Sequence, residues 1–299
     1  MIKRTIIVSS KAYISHKDEQ LCITKEDEEP TVPIEDIGVL ILESHQVTIT
    51  QSALSSLMAS NIVVIGCDAA HHPDGIMIPM ASNLLHTAVL KTQIEASLPL
   101  TKQLWMQTIR AKILNQSAAL KSLGRETEPM ERWYRKVRSG DPDNFEGRAA
   151  SYYWKRLFPP EWNFSRNPEG DTPNNLLNYG YAVLRAAMAR ASVGSGLHPA
   201  IGLHHRNQYN PFCLADDMME PYRPYVDLHV REICLADKNF GILTPAVKKQ
   251  LLTVLSTDTR IEGDRKPLLL ALTNTSSSLV KCLAGQSKKL LFPAIHAPE

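Results

Sequence analysis

The sequence predicts an α+β protein in two parts: a small N-terminal β-rich domain over 1–88 and a larger all-α domain over 89–299. Three observations lead there. Up to about residue 85, short β-branched runs alternate with polar turns. Beyond it the apolar spacing lengthens to the 3.6-residue period, as at Leu104, Thr108, Ile109, Ile113 and Leu114. Clusters of Pro, Gly and Ser then cut the remaining chain into helix-length pieces.

Within the first part, Ile6-Ile7-Val8, Ala12-Tyr13-Ile14, Leu21 to Thr24, Val39 to Leu42, Val47 to Ile49, Ile62 to Ile65 and Ile76 to Ile78 read as strands. Gln51 to Ser60 is the helical exception, with Ser52 as its cap. The acidic run Glu26 to Glu29 before Pro30 is a solvated loop. Cys67 to Gly75 contains metal-capable side chains, but Pro73-Asp74-Gly75 reads first as a turn. In the second part Pro99 divides Leu84 to Leu123 into two helices. Loops are expected at 139–142, 159–160, 168–173, 194–199 and 263–267.

Length and composition narrow the function without giving it. The chain has 299 residues, 43% hydrophobic and 21% charged, enough for sizeable cores. With 33 basic and 31 acidic residues the net charge is +2, so any anionic partner must meet a local patch. Five dispersed cysteines without a CxxC pair argue against a zinc knuckle or a disulfide framework and for a reducing compartment. The N-terminus lacks signal-peptide features, and no stretch approaches the ~18 apolar residues of a membrane span. The expectation is a cytoplasmic protein with no membrane partner.

The chemistry concentrates in 202–224. His204 and His205 are followed, after the turn Asn207 to Pro211, by Asp216, Asp217 and Glu220 on a helix opened near Phe212. Leu214, Met218 and Met219 take its buried side. Imidazole and carboxylate suit a hard or borderline divalent ion, and clustered acids repel unless a cation or a shared proton relieves them. A polar helix start beside a core histidine would use the same residue types.

Positive charge collects between 130 and 166, where eight basic and five acidic residues leave a net +3. Arg132, Arg135, Lys136 and Arg138 interleave with Trp133 and Tyr134, a pattern suited to phosphate contact and base stacking. An amphipathic helix with a solvated basic face would look the same. Asp141 or Asn144 then caps a helix to about Leu157, with Glu146 in its first turn, near the positive end of the helix dipole. Arg148, Lys155 and Arg166 complete the basic set, the best candidate for contact with an anionic partner. Asn174 to Arg185 is an apolar helix whose Gly180 costs about 1 kcal/mol against alanine, a sign of close packing or substrate approach.

In order, Asn144-Phe145-Glu146-Gly147, Asn175-Leu176-Leu177-Asn178-Tyr179-Gly180-Tyr181, Gly202-Leu203-His204-His205-Arg206-Asn207-Gln208-Tyr209-Asn210-Pro211-Phe212 and Leu214-Ala215-Asp216-Asp217-Met218-Met219-Glu220-Pro221-Tyr222-Arg223-Pro224 resemble the CRISPR-associated spacer-acquisition integrase/endonuclease family, in its type II branch. The resemblance covers essentially the whole chain. It implies catalytic metal ligands at Glu146, His205 and Glu220, with Asp217 at an acidic position that some members also carry. His204 and Asp216 fall on positions the pattern leaves unassigned. It implies Mg²⁺ or Mn²⁺, and a transesterification joining the 3′-hydroxyl ends of captured DNA to a CRISPR repeat. It also implies double-stranded DNA with 3′ overhangs as substrate, a homodimer formed through the β domain, a heterohexamer with a small companion adaptation protein, and help from the type II effector nuclease. Two other readings compete. A metal-dependent phosphohydrolase of small substrates requires a closed pocket without a basic groove. A DNA-binding module without catalysis requires binding that survives loss of Glu146 or His205.

Overall fold

A computed structural model describes residues 3–69, 71–167, 169–236 and 243–295. Its N-terminal part holds β1 (Arg4–Val8), β2 (Ala12–Lys17), β3 (Gln20–Thr24), β4 (Thr31–Pro33), β5 (Ile37–Leu42), β6 (Val47–Ile49), α1 (Gln51–Ala59), β7 (Val63–Cys67) and β8 (Pro73–Met77). These form two four-stranded sheets, ordered β1-β5-β7-β8 and β4-β3-β2-β6. The cap of α1 is Thr50, whose hydroxyl accepts from Ala53 N at 3.2 Å, two residues before the expected Ser52.

The expected turn at Pro73-Asp74-Gly75 is instead part of β8. The reversal falls earlier, where His71 N bonds Asp68 O at 2.9 Å and His72 N bonds Asp68 Oδ1 at 2.8 Å. Proline tolerates this position because β8 is an edge strand and Pro73 its first residue.

Strands β5 and β7 are buried on both faces. Val39, Ile41, Val63 and Ile65 join the core of the helical part, while Ile37, Leu40 and Val64 pack with Ile14, Leu21 and Leu57 in the N-terminal core. This is why both read as unbroken apolar runs.

The second part contains α2 (His86–Ile94), α3 (Leu98–Ser122), α4 (Glu128–Lys136), α5 (Phe145–Leu157), α6 (Asn174–Gly194), α7 (Cys213–Met219), α8 (Arg223–Ala236), α9 (Pro245–Leu252) and α10 (Leu268–Leu283). Two helices do replace 84–123, with Pro99 inside the first turn of α3 and Ser97 as its cap. The part is not wholly helical: the expected loop at 263–267 is one arm of a hairpin, β9 (Asp258–Ile261) with β10 (Asp264–Pro267). The reversal uses Glu262 at φ 54° and Gly263 at φ 87°. Pro168, placed in a loop by the sequence, lies outside the described residues.

Helix α6 threads the core, with sixteen buried residues. A Cβ on its Gly180 would stand 2.5 Å from Val226 Cγ1 of α8. Close helix packing, rather than substrate approach, therefore accounts for that glycine. The described cysteines are all free thiols. Among the described residues, no helix is long and apolar enough to cross a membrane.

Candidate active site

Glu146 stands in the first turn of α5, and both proposed caps share the work there. Asn144, at φ 51°, accepts from Gly147 N at 3.0 Å; the Asp141 carboxylate accepts from Phe145 N at 3.0 Å and Glu146 N at 2.9 Å. Glu220 sits where α7 passes into a 3-10 turn, Glu220–Tyr222, that leads into α8. That turn is pinned from α3 and α10. Asn115 Nδ2 donates to Pro221 O at 2.7 Å and to Pro293 O at 2.9 Å, and Tyr222 OH pairs with Thr275 Oγ1 at 2.6 Å.

The two glutamates meet at Lys112 of α3. Its Nζ donates to Glu146 Oε1 at 2.6 Å and makes an ion pair with Glu220 Oε2, also at 2.6 Å. The carboxylate oxygens are thus no more than twice that distance apart. At an effective dielectric of about 20 they repel by roughly 3 kcal/mol, which the ammonium between them offsets. Arg223 adds a second cation, with Nε 2.9 Å from Glu220 Oε1. Burial works against a charged Glu220, but Arg223 and then Lys112 overcome it and hold its carboxyl below the usual value. Burial likewise works against a charged Lys112, and the fields of Glu220 and Glu146 raise its pKa in spite of it. Glu220 Oε2 has no hydrogen-bond donor in good geometry although it is fully buried, so it keeps a free lone pair.

His205 lies in the loop before α7, with its side chain 47% exposed. Behind it Asp217 is fully buried. The Asp217 carboxylate accepts from His204 N at 2.8 Å and His205 N at 3.3 Å, and bonds His205 Nδ1. That last bond, helped by the fields of Asp217 and Glu220 against partial burial, raises the His205 pKa. With Nδ1 engaged, Nε2 is the ring nitrogen left for other chemistry. Gly202 is required beneath this loop: a Cβ would lie 2.5 Å from His205 O and 2.8 Å from Asp217 Oδ2.

The neighbours have other partners. His204 stacks on Trp105 of α3 with centroids 4.3 Å apart. Asp216 binds Arg185 of α6 at 2.6 and 3.2 Å and Asn210 at 2.7 Å, tying the loop to the core helix.

The structure thus gathers Glu146 and Glu220 around one cation and places His205 within electrostatic reach of Glu220. Among the described residues, no three His, Cys, Asp or Glu side chains form a ready-made metal cluster. The physical reason is visible: Lys112 and Arg223 hold the acids, and Asp217 holds the imidazole. The donor set nevertheless fits an oxygen-preferring divalent ion, with two converging carboxylates, a lone pair free on Glu220 and an uncommitted imidazole nitrogen.

Lys112, Trp105, Asn115, Arg185 and Arg223 were not singled out by the sequence reading. A signal existed for two of them, Lys112 and Asn115. Thr108, Lys112 and Asn115 recur on the buried face of α3, and buried polar groups of this kind need partners.

Helix α4 buries Met130, half-buries Trp133 and Tyr134, and exposes Arg132, Arg135 and Lys136. Arg138 is exposed beyond it and bonds Asp143 at 2.8 Å. Arg148 and Lys155 are exposed on α5, beside the half-buried Arg156, which lies 3.6 Å from the centre of the Tyr152 ring. With Trp133 they line an open groove of about 590 Å³. Arg166 differs from the rest: it is half-buried and donates to Asn174 at 3.0 Å and Asn178 at 2.7 Å.

The fold is that of solved integrase-like and Cas1 structures. A casposase bound to an integration product superposes with a TM-score of 0.80 at 21% identity, over 97% of this chain and 92% of that one. A Cas1 protein from Thermotoga maritima gives 0.73 at 17% identity, over 94% and 97%. In sequence, the family profile of CRISPR associated protein Cas1 matches residues 5–239. The CRISPR-associated endonuclease Cas1 of Neisseria meningitidis serogroup C (strain 8013) is 37% identical over 298 residues, 99% of this chain and 97% of the relative, which is consistent with the type II branch. A second such endonuclease, from Saccharolobus solfataricus, is 29% identical over 75% of this chain and 73% of its own. The chain belongs to the Cas1 family.

Proposed function

We propose that the chain is a metal-dependent DNA endonuclease and integrase of CRISPR adaptation. One observation carries this beyond family membership. Carboxylates from separate helical segments, Glu146 and Glu220, converge on a single cationic position at Lys112, with His205 in the field of Glu220.

Glu146, Glu220 and His205 Nε2 would hold Mg²⁺ or Mn²⁺. When bound there, such an ion would supply Lewis-acid stabilisation of the charge that develops on a phosphodiester in the site. The residues of the chain do the rest. Asp217 fixes the ring of His205 and leaves Nε2 as its acceptor. Arg223 balances one charge of Glu220 throughout. Glu146, Glu220, Lys112 and Arg223 together sum to zero formal charge, so the bare site does not repel an arriving phosphate.

In the joining step a DNA 3′-hydroxyl attacks a phosphodiester of the repeat and the repeat's own 3′-oxygen leaves. One phosphodiester forms as one breaks, so no nucleotide cofactor is needed. Water in place of the hydroxyl gives nicking. No side chain need become covalently attached. Arg132, Arg135, Lys136, Arg138, Arg148 and Lys155 would contact DNA phosphates. A homodimer, a heterohexamer with the small companion protein, and assistance from the type II effector nuclease complete the proposal. It is supported by the presence of Cas1 in a Cas6-RT-Cas1–Cas2 complex whose Cas1-containing chain superposes on this one with a TM-score of 0.72, at 18% identity, over 97% of this chain and 36% of that one.

The open groove lined by Arg148, Lys155 and Arg156 favours this reading over a small-substrate phosphohydrolase. The test is Mn²⁺-dependent joining of a labelled duplex to a repeat-bearing plasmid, with and without the companion protein. His205→Ala should abolish joining and leave most DNA affinity intact. Unchanged joining by that folded variant would refute the assignment.

A further inference from the structure

We propose that Lys112 is a displaceable internal counter-ion: its ammonium holds Glu146 and Glu220 together in the ion-free protein, and a divalent ion reaches those carboxylates only by pushing it aside. The inference rests on the metal reading above and goes beyond it, because it assigns a role to a residue outside the ligand set.

Three observations carry it. Lys112 Nζ is 2.6 Å from an oxygen of each acid, so it stands between them and not to one side. Lys112 comes from α3, whereas the acids come from α5 and the turn after α7, so the ammonium links three elements at one point. Its side chain is 11% exposed, so the ammonium and the two carboxylates face one another with little water between them.

Ligand oxygens approach a divalent ion to about 2.0–2.6 Å. An ammonium at hydrogen-bond distance from the same oxygens would then stand only a few ångströms from the ion. Two cations at that separation repel strongly, so the ammonium and the ion occupy the site in turn. Lys112 thereby prevents the acids from splaying apart when no ion is present, and lowers the apparent affinity for the ion by competing with it. Arg223 does not share this role, since it faces the other oxygen of Glu220.

The test is Mn²⁺ binding to the full-length protein without DNA, by titration calorimetry, with thermal melts in parallel. Lys112→Met removes the charge, and Lys112→Gln removes it while keeping a donor for Glu146. Both should bind Mn²⁺ at least about tenfold more tightly than the parent. Both should melt lower without the ion and gain more from it. Adding Glu146→Gln to either variant should cancel the tightening. Equal or weaker Mn²⁺ binding by both single variants overturns the proposal and leaves the metal reading standing. Absence of Mn²⁺ binding by the parent and by both variants overturns the metal reading, and this proposal with it.

Discussion

Asp217→Asn isolates what orders the histidine. The Asp217 carboxylate is fully buried and takes three donors: His204 N at 2.8 Å, His205 N at 3.3 Å and the His205 ring. Asparagine fills the same space but offers one acceptor oxygen and points an NH₂ at a former donor. At least one donor is left unpaired, and every surviving bond loses its charge assistance. That costs about 2–3 kcal/mol, which for a chain of this size lowers the melting temperature by roughly 5 °C. The larger effect falls on the site. A side chain that orients a metal-binding imidazole is worth about 10–100-fold in metal affinity when lost. Calorimetric titration with Mn²⁺ should show that loss, and strand joining should fall with it. NMR titration should show the His205 pKa falling back toward 6.5, since the bond to Asp217 is the main cause of its rise. A variant that loses the stability but keeps Mn²⁺ affinity within twofold and an unmoved His205 titration would refute the reasoning.

Three further predictions concern groups other than Glu146, Asp217 and Glu220. Burial pushes the Asp227 carboxyl up to about 7 against donation from Tyr181 and Tyr153 and the fields of Arg223 and Arg166. The folded chain therefore keeps a proton that the unfolded chain releases near 3.8. The resulting stabilisation is complete below about pH 4 and is lost as pH rises to about 7. Asp227→Asn should flatten the stability–pH curve between those limits in urea denaturation, and an unchanged slope would count against it. Replacing Arg148 and Lys155 by alanine should lower the salt-dependence slope of DNA binding by about two without altering the melting temperature. Arg166→Ala should do the reverse, because its guanidinium is held by Asn174 and Asn178.

The sequence by itself determined the order of the parts and the residue types of the site. Paired periodicities, two residues against 3.6, separated the strands from the helices. Pro99, Asn144 and Pro211 marked helix starts because ring closure and side-chain capping act within one turn. The hairpin at 258–267 escaped because its strands are four residues each, too short to show a period.

Only the tertiary structure decided which charges meet. Glu146 and Glu220 are 74 positions apart, and no local pattern says that Lys112 of α3 stands between them, that Asp217 serves His205, or that Asp216 serves Arg185. Local rules act over a turn of helix. Ion pairs between elements depend on how the helices cross, and packing of the whole core sets that.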